Sequence, residues 1–289
     1  MESRTVEAAR IPAPALVLAG VTSVQFGAAI AKSLFDDLTP TGVVALRLLF
    51  GALVLGLLFR PRIRNRPAGE LRLAVVFGFV LVSMNLCFFQ AIDRIPLGIA
   101  VTLEFVGPLG VALAGSRRRA DIVWVAFAAG GIALLAPGMG GGLDGAGVAF
   151  ALAAGLLWGA YILLGARVGK AFAGPTGLVL AMAVGACVAV PLGAASAGAS
   201  LLVPGLLAAG LGVALLSSAI PWSLELEALR RLPTHVFGVL MSLEPAVGAL
   251  VGFVVLGEHL GLRPVLAIGL VVVASAGAAR GARAAPRDV

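Results

Sequence analysis

The sequence predicts an all-α integral membrane protein with ten transmembrane helices in two inverted five-helix repeats. Three observations predict it: a composition too apolar to face water, a one-sided distribution of basic residues, and an internal repeat with an odd number of helices per copy. Of the 289 residues, 60% are hydrophobic and 12% charged, and the mean hydropathy is +1.08. A soluble domain carries roughly 25% charged residues, so this chain cannot cover a hydrated surface.

A crossing takes about 20 apolar residues, so about ten fit if roughly 200 residues are embedded. The apolar runs lack the alternation of a membrane barrel. Backbone groups in lipid must be satisfied within the segment, which leaves helices. Polar, proline and glycine punctuation predicts them near 13–34, 41–59, 72–91, 96–115, 120–137, 146–166, 174–194, 201–224, 234–256 and 261–279. The first run, from Ala13 toward Ala31, exceeds a signal-peptide core and reads as a retained spanning helix. Between these runs only short loops remain, so no separate soluble domain is expected. Gly155/Gly159 and Gly248/Gly252 have the four-residue spacing that suits close helix packing.

A net charge of +7 would suggest a polyanionic partner in a soluble protein. Here the basic residues cluster in short loops. With the amino terminus in the cytoplasm, 17 of the 21 Lys and Arg fall on that side, including Arg60 to Arg72, Arg117 to Arg119, Arg167, Lys170, Arg230 and Arg231. Arg94 and Arg263 lie opposite, while Lys32 and Arg47 fall within helices. The bias predicts an even number of crossings with both termini cytoplasmic, and orientation in the bilayer rather than nucleic-acid binding.

The stretch 91–115 matches 228–252 at a constant offset of 137, with eight identities among them Arg94/Arg231, Pro96/Pro233, Pro108/Pro245 and Gly115/Gly252. Pro40-Thr41-Gly42 and Pro175-Thr176-Gly177 follow the first helix of each half. Five crossings per copy force the second to enter from the opposite side, giving units at 13–138 and 146–280. That architecture is typical of secondary transporters, whose substrate site lies near the midplane between repeats.

A charge at the centre of a spanning helix costs about 2.5–3.5 kcal/mol on insertion scales, so it usually faces a partner or a wet cavity. Four residues qualify: Lys32, Arg47, Glu104 and Glu244. As cavity residues, they would offer a zwitterionic solute a cation for its carboxylate and a glutamate for its ammonium; a glutamate that exchanges a proton would couple transport to the proton gradient. As structural residues, they would form ion pairs such as Arg47 with Glu104. Gln25, Asn85, Trp158, Tyr161, Ser217, Ser218 and Ser242 lie at similar depth and could complete a polar pocket, although each alone also suits interhelical hydrogen bonding or packing. Trp124 and Trp222 read as interface anchors, and Glu225, Glu227 and His235 as solvated charges near helix ends. Cys87 and Cys187 read as small core residues.

Enzyme signals are weak. Gly140-Gly141-Gly142-Leu143-Asp144-Gly145 fits a dinucleotide pattern but follows no strand. The aspartates sit near loops or ends, there are two histidines, and no cysteine cluster exists, so no catalytic residues, metal or cofactor are expected.

The segments Thr22-Ser23-Val24-Gln25 through Ala31-Lys32-Ser33, Pro96-Leu97-Gly98 through Leu103-Glu104-Phe105 and Gly107-Pro108, and Leu232-Pro233-Thr234 through Met241-Ser242 and Glu244-Pro245 carry a family resemblance. They resemble the bacterial threonine/homoserine exporters of the EamA branch of the drug/metabolite transporter superfamily. Leu256-Gly257-Glu258 is similar to that superfamily's loop motif, with Asp121 as its repeat partner. The resemblance implies ten helices in two inverted repeats, a bacterial inner-membrane location, and export of small amino acids by proton antiport, with oligomeric state left open. The rivals are a transporter for a nucleobase, sugar or drug, which shares the architecture, and an integral-membrane enzyme, which would need clustered catalytic groups.

Overall fold

A computed structural model describes residues 11–61, 66–114, 122–135, 143–172, 174–232 and 234–281. The chain forms α1 (Ala13–Ser33), α2 (Phe35–Phe59), α3 (Ala68–Arg94), α4 (Leu97–Glu104), α5 (Val106–Ala114), α6 (Ile122–Leu135), α7 (Gly145–Ala171) and α8 (Thr176–Ala197), the last prolonged by a 3-10 turn at Gly198–Leu202. Then follow α9 (Pro204–Ala214), a π-helical turn at Leu215–Ala219, α10 (Ile220–Arg231), α11 (Thr234–Met241), α12 (Glu244–Leu256) and α13 (Leu262–Gly281).

Among the described residues there is no strand, and eight helical segments are long and apolar enough to cross a membrane. Two shorter apolar helices, Leu97–Val111 and Ile122–Leu135, accompany them. Large apolar side chains such as Leu57, Leu156, Leu250 and Val254 point outward, each more than 60% exposed. So much apolar surface is untenable in water and is what lipid requires. The protein is therefore an all-helical, multi-pass membrane protein.

Two of the expected helices, 96–115 and 234–256, are broken in the middle, at the carbonyls that Pro108 and Pro245 are expected to free. α4 ends at Glu104 and α5 restarts after Phe105; α11 ends at Met241 and α12 restarts at Glu244. Proline explains both. Pro108 and Pro245 have no N–H for the carbonyls of Glu104 and Met241 four residues back, and each sits in the first turn of the second half, where no N–H is needed. Glycine makes room for the first break: a Cβ on Gly155 of α7 would stand 2.6 Å from the Glu104 carbonyl oxygen, and one on Gly107 would collide with the Gly155 carbonyl.

α2 joins a short helical stretch from Phe35 to the crossing expected from 41, across a kink at Thr39. Thr39 adopts φ 58, ψ 157, and its Oγ1 accepts from Gly42 N at 3.2 Å, capping the turn that Pro40 opens. The segment expected at 201–224 runs on to Arg231, and the π-turn interrupts it. Pro221 again supplies the reason. It cannot donate to the carbonyls of Leu216 or Ser217, and both are taken by other helices: Ser23 Oγ donates to Leu216 O at 2.7 Å and Arg47 Nη2 to Ser217 O at 3.3 Å.

α2 packs along α8, α3 between α7 and α8, α1 against α10 and α12, α4 against α12 and α7, and α6 against α13. α4 and α12 touch nearly backbone to backbone, since a Cβ on Gly98 would lie 2.5 Å from Ala249 Cα. Of the two cysteines expected in the core, Cys87 is half-buried and Cys187 is exposed on the outer face of α8. Trp124, expected as an interface anchor, packs against Gly277 of α13 and beside Phe127. Arg117 to Arg119, Asp121, Gly140 to Gly142, Pro233 and the terminal charges lie outside the described residues.

Candidate functional site: a charged cavity between the helices

A cavity of about 230 Å³ opens where α1, α2, α3, α7, α8, α10 and the breaks in α4–α5 and α11–α12 converge. Its polar lining comprises Gln25, Arg47, Asn85, Glu104, Trp158, Tyr161, Ser217, Ser218, Trp222, Glu225 and Glu244. The helix breaks place the two central carboxylates: Glu104 is the last residue of α4 and Glu244 the first of α12, so each sits where its helix has stopped. They are 8% and 6% exposed.

Glu244 Oε1 accepts from Gln25 Nε2 at 3.2 Å, which ties α12 to α1. The amide can lie there because Gly248, one turn along α12, has no side chain; a Cβ would come 3.1 Å from Gln25 Oε1. Arg47 is held from two sides, by the Ser217 carbonyl and by the Phe89 ring, whose centroid is 5.6 Å from its Cζ. No ion pair joins Arg47 to Glu104. Asn85 Nδ2 donates to Leu81 O at 2.8 Å. Trp158 meets Phe105 edge-on at 5.5 Å, and Tyr161 stacks on Phe77 at 4.6 Å, which fixes the aromatic wall.

Two residues of the expected set lie elsewhere. Ser242, in the break after α11, is 1% exposed and donates its hydroxyl to Gly238 O at 2.9 Å, one turn back. Lys32, at the end of α1, donates to Glu258 Oε1 at 2.7 Å and to Ile95 O at 3.2 Å. The Leu256-Gly257-Glu258 motif explains its partner. Gly257 takes φ 66 as the left-handed cap of α12 and Glu258 N closes on Gly252 O at 3.1 Å. That turn swings the Glu258 carboxylate onto Leu97 N at 2.8 Å, capping α4 while pairing with Lys32.

Two lining residues went unrecognised as such. Glu225, read as solvated, and Trp222, read as an interface anchor, both border the cavity. Their depth was misjudged because α10 continues to Arg231, seven residues beyond the expected helix end at 224. The cavity leans toward the end of the molecule that carries Ala13 and Gly281, since Leu178 of the first α8 turn, Trp222 and Glu225 all line it. At the other end lie Phe35 on Phe89, buried Leu38, Ile95 and Leu97, and the Lys32–Glu258 pair, beside a separate pocket of about 330 Å³ lined by Pro96, Ile99, His259 and Arg263. Among the described residues no group of three or more His, Cys, Asp or Glu could hold a metal ion.

A polytopic helical bundle with a charged central cavity is the architecture that a membrane transporter needs. The model of the EamA-like transporter family matches residues 12–138 and again 145–280; the chain belongs to that family. The threonine/homoserine exporter RhtA of Escherichia coli is 46% identical over 266 residues, covering 91% of this chain and 89% of its own. RhtA of Salmonella typhimurium is 46% identical over 276 residues, 94% of this chain and 92% of its own. A solved crystal structure at 20% identity shares the fold, with a TM-score of 0.59 over 93% of this chain and 98% of that one.

Proposed function

We propose that the protein exports threonine, homoserine and related small amino acids across the bacterial inner membrane by proton antiport. The observation that carries the reading is the meeting of Arg47 with Glu104 and Glu244 in one buried cavity. A zwitterion's carboxylate would face the Arg47 guanidinium and its ammonium the two carboxylates, so both of its charges are matched where water is scarce. Export by the curated relatives, at 46% identity, supports the substrate class. A cavity of about 230 Å³ is smaller than the roughly 300–1,000 Å³ of drug-sized sites, which weighs against the drug alternative.

In this reading the chain makes ten crossings, as two inverted units at 13–138 and 146–280 with both termini cytoplasmic. The pattern of neighbours supports a twofold relation. When α1, α2, α3, α4–α5 and α6 are exchanged for α7, α8, α9–α10, α11–α12 and α13, α1 on α10 becomes α7 on α3, α1 on α12 becomes α7 on α4, and α2 on α9 becomes α8 on α3; each of these contacts is made. The conformation is then inward-facing, with the cavity toward the cytoplasm. Transport proceeds by rocking one unit against the other.

The test is uptake of labelled threonine and homoserine into inside-out membrane vesicles containing the full chain, with and without an acidic lumen. Gradient-dependent accumulation of either is expected. Its absence for both, with accumulation of a nucleobase or sugar instead, would replace the substrate assignment.

A further inference from the structure

We infer that the π-helical turn at Leu215–Ala219 is the specificity element of the cavity, its serine hydroxyls reading the side-chain hydroxyl of the solute. The inference rests on the reading above and deepens it: a carboxylate and an ammonium are common to every amino acid, so something else must recognise the hydroxyl. Of the buried hydroxyls elsewhere, Ser275 of α13 lacks a partner but lies outside the cavity lining, whereas Thr102 and Ser242 return their proton to the carbonyl one turn back. Thr102 donates to Gly98 O at 2.6 Å and Ser242 to Gly238 O at 2.9 Å.

Ser217 and Ser218, 8% and 6% exposed, do not, and their Oγ atoms have no partner. In the same turn the carbonyls that Pro221 frees are engaged by Ser23 and Arg47. Both serines line the cavity. A hydroxyl can donate and accept at once, which suits a solute group that does the same; of the two, Ser217 Oγ sits against α1, where a Cβ on Gly27 would come 2.3 Å from it. Gln25 Oε1, also buried and unpartnered, adds an acceptor on the facing helix.

The position fits as well. The Ser217 carbonyl holds Arg47, so the turn that would read the hydroxyl also fixes the group that would bind the carboxylate. The two recognition points are therefore set at a fixed separation by one element. Leaving a buried hydroxyl unpaired disfavours an apolar analogue by about tenfold or more.

The test compares threonine with valine, which has a methyl in place of the hydroxyl, as competitors of labelled homoserine uptake into proteoliposomes of the full chain. The unaltered protein is expected to prefer threonine by about tenfold or more. Ser218→Ala should bring the ratio toward one, Ser217→Ala should do so more weakly because its Oγ sits against Gly27, and the double variant should abolish the preference. A preference retained in the double variant overturns the inference while leaving the transport assignment standing. Loss of uptake in all three variants, with a normal thermal transition in detergent, also overturns it, because the turn is then a scaffold for Arg47. Absence of threonine and homoserine transport in the unaltered protein fails the proposed function itself, and is seen before any variant is made.

Discussion

In the proposed reading Glu104 and Arg47 meet opposite charges of the solute, so their substitutions should fail differently. Glu104→Gln keeps size and burial but removes the negative charge, so transport should fall by at least tenfold while membrane insertion and the thermal transition stay unchanged. Uptake at the original rate would make Glu104 a structural residue. Arg47→Lys keeps the positive charge yet loses the planar fork that reaches the Ser217 carbonyl and lies over Phe89. The KM for threonine should rise about tenfold, roughly the worth of one charge-assisted hydrogen bond, with a smaller change in maximal rate. These charges were legible in the sequence because a charge inside an apolar run is costly and therefore conspicuous. Glu225 was not, since it lies close to a helix end and only the length of α10 brings it to the cavity. Lys32 was equally conspicuous, but its partner, Glu258, lies 226 residues away and could not be identified from spacing.

At the scale of the elements, prolines and glycines decide the geometry. Gly155 and Gly159 are one turn apart on α7, and the sequence treats them alike. The structure separates them: a Cβ at Gly155 would press on the Glu104 carbonyl at 2.6 Å, whereas at Gly159 its nearest neighbour is 3.5 Å away. Gly155→Ala should lower stability by about 1–3 kcal/mol, and Gly159→Ala should change it by less than about 0.5 kcal/mol. Denaturation followed in detergent distinguishes them, and equal effects would contradict the close approach of α7 to the α4 break. Glu258→Gln removes a partly buried ion pair and weakens the cap on α4, so a loss of about 1–3 kcal/mol is expected in the same assay. The helix breaks were only half legible. Pro108 and Pro245 marked freed carbonyls, but the π-turn before Pro221 needs the donors from Ser23 and Arg47, which lie on helices distant in sequence.

For the whole molecule, composition gave the helical membrane class directly, and the eight long apolar helices bear it out. Periodicity located segments but not their depth or rotation, because helices apolar all round carry no amphipathic signal. Which polar groups face one another therefore depends on packing, as with Ser242, which lies beside the site in sequence yet donates to the carbonyl one turn back. The Lys32–Glu258 pair at one end and the cavity leaning to the other are what the proposed alternating mechanism expects of one of its states. The most direct measurement is accumulation of labelled threonine in proteoliposomes under an imposed pH gradient, with the unaltered protein beside Glu104→Gln. Concentrative uptake that collapses with the gradient and is missing from Glu104→Gln is the predicted result. Equal uptake by both proteins, or none by the unaltered one, would contradict a gradient-driven exporter built on this cavity.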